Sequence, residues 1–106
     1  MMSVYGEIPN ENLSQYFKYL VGKIFKILPL YEEDSPTLPS YLKSYQRELI
    51  GDSQLFSELS NEPKFITLLA TIEYLANSTY DHDICKSEVL KCTNIINDIG
   101  KRYFRG

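Results

Sequence analysis

The side chains best suited by type to do chemistry surround the single histidine of the sequence. His82 lies between Asp81 and Asp83 and three residues before Cys85, so imidazole, carboxylate and thiolate groups occur in one short stretch. A structural zinc site needs four ligands at recognised spacings, and the other cysteine, Cys92, is expected two helical turns away on a core face. We therefore predict no metal site and no cofactor, and interpret His82 as a solvated residue beside a helix start.

The other groups capable of catalysis have no partners that the sequence identifies. Nucleophilic catalysis needs a base within hydrogen-bond reach, and spacing ties His82 to no particular serine or cysteine. Glu32, Glu33 and Asp34 are adjacent carboxylates, but they lie in a polar loop where nothing desolvates them for acid–base work. The five glycines are scattered singly, without a phosphate-binding pattern. The sequence thus predicts no catalytic residues and a non-enzymatic protein.

Lysines and a tyrosine on the first predicted helix are suited to binding a macromolecule. The chain has nine tyrosines and no tryptophan, and tyrosine is favoured in binding surfaces because it joins a large apolar ring to a polar tip. Tyr19 falls beside Lys18, Lys23 and Lys26 on the polar arc of this helix, where the core cannot use it. These four residues are the candidate partner-binding face. The alternative is a solvated face with one exposed aromatic residue.

The helix that carries this face has the longest apolar periodicity in the chain. One stripe, at intervals of four and three residues, consists of Leu13, Phe17, Leu20, Ile24, Ile27 and Tyr31. Flanking apolar residues widen it to about half of the circumference, namely Tyr16, Val21, Phe25 and Leu28. Such a helix needs neighbours on at least two sides. Asn10 or Asn12 is expected to cap its start, and Pro29 to kink or end it near Leu28.

The second main helix is predicted to begin after a cap at Thr37 and to end at Gly51 in a left-handed conformation. Its apolar stripe is Leu38, Leu42, Tyr45 and Leu49. Asp52 or Ser53 then restarts the chain into a short helix, which Pro63 prevents from continuing.

The third and fourth main helices complete the predicted core. Asn61 is expected to cap the third, which is apolar around most of its circumference and should be the most buried. Asp81 or Asp83 caps the fourth, and Gly100 allows it to stop near Ile99 or to run to Phe104. Its stripe repeats the spacing of the first helix, with Cys85, Val89, Cys92, Ile96, Ile99 and Tyr103. The centre of the core is predicted at Leu20, Ile24, Leu69, Ile72, Val89 and Ile96.

Together these elements predict an all-α fold, an antiparallel four-helix bundle with an extra short helix before the third main helix. A chain of 106 residues with 43% hydrophobic and 24% charged residues is typical of one globular domain. We expect a single helical domain over residues 1–106, with residues 1–9 as a loose arm whose Val4, Tyr5 and Ile8 can fold back. The size and helix count resemble those of small bacterial four-helix immunity proteins, and this resemblance of architecture assigns no residue a role.

Charge and cysteine usage indicate the compartment and limit the partners. A net charge of −3 and a pI near 5.1 argue against nucleic acid, because phosphate contacts need a concentrated cationic face. We expect no cleavable signal at the amino terminus, and no apolar run approaches the roughly 18 residues of a membrane span. Two thiols on one core face fit a reducing compartment. The sequence therefore predicts a cytoplasmic protein.

The function that these patterns favour is non-enzymatic binding of another macromolecule, as in an adaptor, an inhibitor or an immunity-type protein. A protein is the expected partner. The alternative is a membrane-surface protein that uses the basic face of the first helix, and a small enzyme or metal-binding protein comes third. The sequence leaves the identity of the partner and the oligomeric state open.

Overall fold

A computed structural model describes residues 2–3 and 6–103 of the chain, without the side chains of Met2, Asn10 and Tyr103. Within these residues the helices are α1 (Asn10–Phe25), α2 (Ile27–Glu32), α3 (Leu38–Leu55), α4 (Ser57–Ser60), α5 (Pro63–Asn77) and α6 (His82–Tyr103). Two short strands, β1 (Met2–Ser3) and β2 (Gly6–Glu7), precede them.

The four long helices form a bundle in which each packs against two others. Helix α5 packs against α3 and α6, and α6 also packs against α1. Tyrosine side chains join α1 to α3 and close the ring. The bundle is 41 Å long and about half as wide, as expected from α6, which alone spans about 33 Å at 1.5 Å per residue. The predicted all-α bundle is confirmed, and α4 is the predicted short helix before the third main helix.

The apolar stripes predicted from spacing form the core. The buried side chains of α1 and α2 are Leu13, Phe17, Leu20, Ile24 and Ile27, and those of α6 are Cys85, Val89, Cys92, Ile96 and Ile99. Five of the six residues predicted at its centre are buried, but the prediction for Leu69 is wrong. Leu68 is fully buried in its place, and Leu69 lies partly buried beside the core. Helix α5 is apolar on so many sides that its composition does not identify the innermost face.

Pro29 breaks the first helix earlier than predicted. Helix α1 ends at Phe25, and α2 begins at Ile27 with Pro29 in its first turn. The prediction of an end near Leu28 is wrong because proline disrupts the bond to the carbonyl four residues before it, here that of Phe25. Proline is tolerated in the first turn of a new helix, because the backbone N–H groups there have no hydrogen-bond partner within the helix.

Helix α3 runs through the predicted stop at Gly51 to Leu55, so Asp52 and Ser53 lie inside it rather than starting a new helix. A Cβ atom at Gly51 would meet nothing within 4 Å, and Gly51 does not adopt the left-handed backbone conformation of the predicted helix end. The chain instead leaves the helix at Phe56, whose backbone is extended with φ −113° and ψ 106°.

Thr37 occupies the cap position of α3 as predicted, although its side chain forms no capping hydrogen bond. The predicted cap of α6 is also found, and those of α1 and α5 differ from the prediction. Asp81 Oδ1 accepts a hydrogen bond from the Ile84 N–H at 2.9 Å, which confirms the predicted cap. Pro9 occupies the cap position of α1, so Asn10 and Asn12 lie within the helix and do not cap it. Glu62, and not Asn61, caps α5. Helix α6 continues through Gly100, where a Cβ atom would sit 3.5 Å from the Phe17 ring, and reaches Tyr103; Phe104 lies outside the described residues.

The described residues of the amino-terminal arm form an antiparallel hairpin that the sequence did not predict. Met2 pairs with Glu7 and Ser3 with Gly6, whose positive φ of 113° suits glycine. Ser3 also bridges to Phe56, and Ile8 packs against the core. Val4 and Tyr5 lie outside the described residues. None of the helices within residues 10–103 is both long and apolar enough to cross a bilayer.

The buried stripes predict a large loss of stability on truncation. Leu20→Ala and Ile96→Ala each remove a side chain that is 2% exposed or less, and we expect each to lower the free energy of unfolding by about 2–5 kcal/mol. Urea unfolding followed by circular dichroism measures this. Leu90→Ala is the control, since Leu90 is 52% exposed and its loss should change stability by less than about 0.5 kcal/mol. Equal stabilities for Ile96→Ala and the parent would contradict the packing.

The two free cysteines should be unreactive in the folded protein. Burial raises the pKa of Cys92 to about 12 and also raises that of Cys85, and the thiolate is the reactive species. At pH 8 we expect iodoacetamide to modify Cys92 at least about a hundredfold more slowly in the native protein than in urea. Peptide mass spectrometry resolves the two sites. Equal rates in both solvents would show that Cys92 is not buried.

Candidate docking face on the first helix

Three of the four predicted binding residues lie on α1 and Lys26 lies at the junction of α1 and α2, and the four do not form one face. Lys18 and Lys26 are exposed, Tyr19 is 49% exposed and Lys23 is half-buried. Lys18 and Lys23 point about 140° apart around the helix axis. Tyr19 and Lys23 lie on the side of α1 towards α3, whereas Lys18 borders a groove between α1 and α6.

Lys23 is held by aromatic rings and a carboxylate within the chain. Its Nζ atom lies 5.5–5.8 Å from the ring centres of Tyr19, Tyr41 and Tyr45, within the range of cation–π attraction. Glu48 Oε2 lies 3.7 Å from the same Nζ and accepts a hydrogen bond from the Tyr19 hydroxyl at 3.1 Å. Lys23 and Tyr19 therefore contribute to the contact between α1 and α3.

Tyrosine hydroxyls join α1 to α3 along the same side. Tyr41 donates to the carbonyl of Lys23 at 2.7 Å, and Tyr45 donates to that of Leu20 at 2.9 Å. Tyr16 of α1 donates in the opposite direction, to Asp52 Oδ2 at 2.8 Å. Burial raises the pKa of Tyr45, and burial with the nearby Asp52 carboxylate raises that of Tyr16. The hydroxyls thus stay protonated as donors, as buried tyrosines require.

The opposite side of α1 borders an apolar groove of about 630 Å³ shared with α6. Its lining residues are Ser14, Phe17, Lys18, Val21, Gly22 and Phe25 of α1, with Ile96, Asn97, Gly100 and Lys101 of α6. Phe17 and Val21 lie in its floor. Phe25 was predicted to flank the core stripe, but it is 53% exposed because the helix breaks at the next residue and α2 continues the stripe through Ile27.

Lys101 is the residue of this groove that sequence reasoning did not connect with binding. It lies in the last turn of α6, where a basic residue also complements the helix dipole. Packing of α6 against α1 places Lys101 and Lys18 on the same groove. No local sequence signal places two residues so far apart in the chain on one groove.

An ion pair between a buried carboxylate and a largely exposed guanidinium holds the end of α6. Glu62 is 3% exposed, and its carboxylate accepts hydrogen bonds from Arg102 Nη1 at 2.6 Å and from the Lys64 N–H at 3.4 Å. This contact joins α6 to the start of α5. Sequence reasoning placed Glu62 in a break and Arg102 at a helix end, without pairing them.

The histidine considered for metal binding lies in a polar, exposed setting. His82 Nε2 lies 3.0 Å from Glu32 Oε2, and its Nδ1 lies 4.0 Å from Asp83 Oδ1. Cys85 is buried on the core side of α6. Among residues 2–3 and 6–103 no three His, Cys, Asp or Glu side chains are grouped so as to hold a metal ion. Glu33 and Asp34, the other carboxylates considered for catalysis, are exposed.

Asp52 gives the tyrosine contacts a measurable pH dependence. Burial raises the pKa of Asp52 above its ordinary value of 3.8, although the Tyr16 hydrogen bond opposes this. A raised folded-state pKa means that the folded protein binds the proton more tightly, so stability is lost as pH rises from about 4 through the folded pKa. Asn at this position accepts the same hydrogen bond without a charge. The free energy of unfolding of Asp52→Asn, relative to the parent, should therefore be higher at pH 7 than at pH 3.

Urea titrations at the two pH values measure this difference. Asp83→Asn is the control, because the Asp83 side chain is fully exposed. If the free energy of unfolding of Asp52→Asn, relative to the parent, instead decreased as the pH rises from 3 to 7, the site would stabilise the carboxylate.

Comparison with protein families, with curated proteins and with solved structures finds no match to this chain.

Proposed function

We propose that this protein is a non-enzymatic binding protein that docks another protein on the groove side of α1, as an adaptor, an inhibitor or an immunity-type protein does. The observation that supports this is the apolar groove between α1 and α6, with Lys18 and Lys101 among its lining residues. Binding sites combine apolar contact area with a few charged groups that orient the partner. The proposal includes the cytoplasm as the compartment, supported by the two buried free thiols.

Only part of the candidate face predicted from sequence lies on the groove side of α1. Lys18 borders it, and Lys26 follows the exposed Phe25. Tyr19 and Lys23 contact Glu48 of α3, so their substitution would disturb the fold as well as a partner. We therefore centre the proposed docking on Lys18, Phe25 and the groove floor.

Exposed Phe25 among lysines also suits the alternative of a membrane surface, where aromatic and basic residues act together. A protein is favoured because the apolar residues of the groove other than Phe25 are recessed: Phe17 is 8% exposed and Val21 is half-buried. A bilayer reaches protruding side chains, whereas a protein can insert its own into a groove.

Photocrosslinking in cells of the source organism tests the proposal. p-Benzoylphenylalanine replaces Phe25 in one variant and Tyr74 in a control, since Tyr74 is an aromatic residue of α5 that is 40% exposed. We expect one protein to be joined at position 25 and not at position 74, and excess unlabelled parent protein to compete it away. Lys18→Glu in the same background should reduce the adduct at least about tenfold, because rim charges orient the partner.

Three outcomes would overturn the proposal. One is that no competable protein adduct forms at position 25. The second is that the same adducts form at both positions. The third is crosslinking to lipid at position 25 together with sedimentation of the parent with anionic vesicles, which would favour the membrane alternative.

A further inference from the structure

Two ridges of side chains border the groove between α1 and α6. On α1 the row consists of Ser14, Lys18 and Gly22, spaced by four residues, where Gly22 contributes only backbone. On α6 it consists of Asn97 and Lys101, which are also four residues apart. Rows at this spacing are the ridges that interdigitate when helices pack. The groove therefore has the form of a surface that receives a further helix.

The length and floor of the groove define what such a helix needs. Its lining residues on α1 run from Ser14 to Phe25, a distance of about 16 Å or three helical turns. Phe17, Val21 and Phe25, spaced by four residues on α1, line this length with apolar surface, and Phe25 is 53% exposed. A helix with apolar residues at positions i, i+3 or i+4, and i+7 would cover it.

The charge of the groove is of one sign. Lys18 and Lys101 are the charged residues of its lining, and within the described part of the chain neither lysine forms an ion pair. Asp98, which pairs with Lys64, is the carboxylate whose pKa Lys101 helps to lower. Cationic groups on both ridges would attract carboxylates that flank the apolar stripe of an incoming helix. The protein as a whole is acidic, with a net charge of −3, so this attraction is local to the groove.

Gly22 leaves the backbone of α1 uncovered in the middle of the ridge. A Cβ atom there would meet nothing within 4 Å, so packing within the described chain does not require glycine. A helix is less stable with glycine than with alanine in its interior, and glycine is used where another backbone approaches closely. Gly51 of α3 is equally free of neighbours but lies outside the groove lining, and it provides a matched control.

We propose that the α1–α6 groove binds an acidic amphipathic α-helix of the partner protein, with its apolar stripe on Phe17, Val21 and Phe25 and its carboxylates at Lys18 and Lys101. This inference rests on the proposed function and adds the chemistry of the partner. Gly22 marks the point of closest approach between the two helices.

Synthetic helices test this chemistry directly on the full chain. The probe is a fluorescein-labelled, end-capped peptide of about four helical turns, with leucines along one stripe and glutamates beside it. A counterpart carries lysines in place of the glutamates. We expect the acidic peptide to bind in fluorescence anisotropy, more weakly as salt increases, and the lysine peptide to bind at least about tenfold more weakly.

Variants locate the binding on the groove. Lys18→Glu with Lys101→Glu should weaken binding of the acidic peptide at least about tenfold, whereas Lys43→Glu, an exposed charge reversal on α3, should leave it unchanged. Gly22→Ala should weaken binding and Gly51→Ala should not, although both substitutions favour the helix. Sedimentation velocity of the protein alone shows whether a second copy occupies the groove.

Several results would overturn this inference. They are failure of the acidic peptide to bind, equal binding of both peptides, binding that survives the double charge reversal, and self-association that buries Phe25. If the photocrosslink at position 25 persists while the acidic peptide fails, the docking function stands and the assigned partner chemistry is wrong. If both fail, the docking function itself is wrong.

Discussion

The arrangement of the bundle depends on the hydrogen bonds that tyrosine hydroxyls form between α1 and α3. Tyr41 and Tyr45 of α3 reach the backbone carbonyls of Lys23 and Leu20, and Tyr16 reaches back to Asp52. Apolar contact has no direction, whereas each of these bonds requires its donor and acceptor to be in line. They therefore fix the rotation of α1 about its axis, and that rotation decides which of its side chains face α6 and the solvent.

The two sides of α1 differ as a consequence. Towards α3 it presents Lys23 among three aromatic rings, with its charge compensated by Glu48. Towards α6 it presents Phe17, whose ring lies beside Gly100, and beyond this contact the helices leave an apolar groove lined by Lys18 and Lys101, which form no ion pair within the described residues. A helix whose polar contacts are concentrated on one side is free to use the other side for a partner. This division supports the docking function proposed for the groove.

Periodicity predicted the fold well and the candidate site only in part. Intervals of three and four residues identified the helices and most of the core, because apolar burial acts through spacing that is visible in the chain. They did not separate Leu68 from Leu69 in a helix that is apolar on many sides. The exposed lysines of α1 were found, but their division between two faces was not. The contacts of Lys23 with α3, and the position of Lys101 and Lys18 on one groove, depend on segments that are distant in the chain, and no local pattern encodes them.

The most direct test of the central claim is hydroxyl-radical footprinting of the chain alone and in complex with the captured partner. Phe25 borders the groove and Ile66 lies on α5, and their side chains are similarly exposed at 53% and 56%. Each residue is compared with itself, so intrinsic reactivity cancels. Docking in the groove predicts that the partner suppresses oxidation of Phe25 and leaves that of Ile66 unchanged. Protection of Ile66 with Phe25 still oxidised at its free rate would contradict the account.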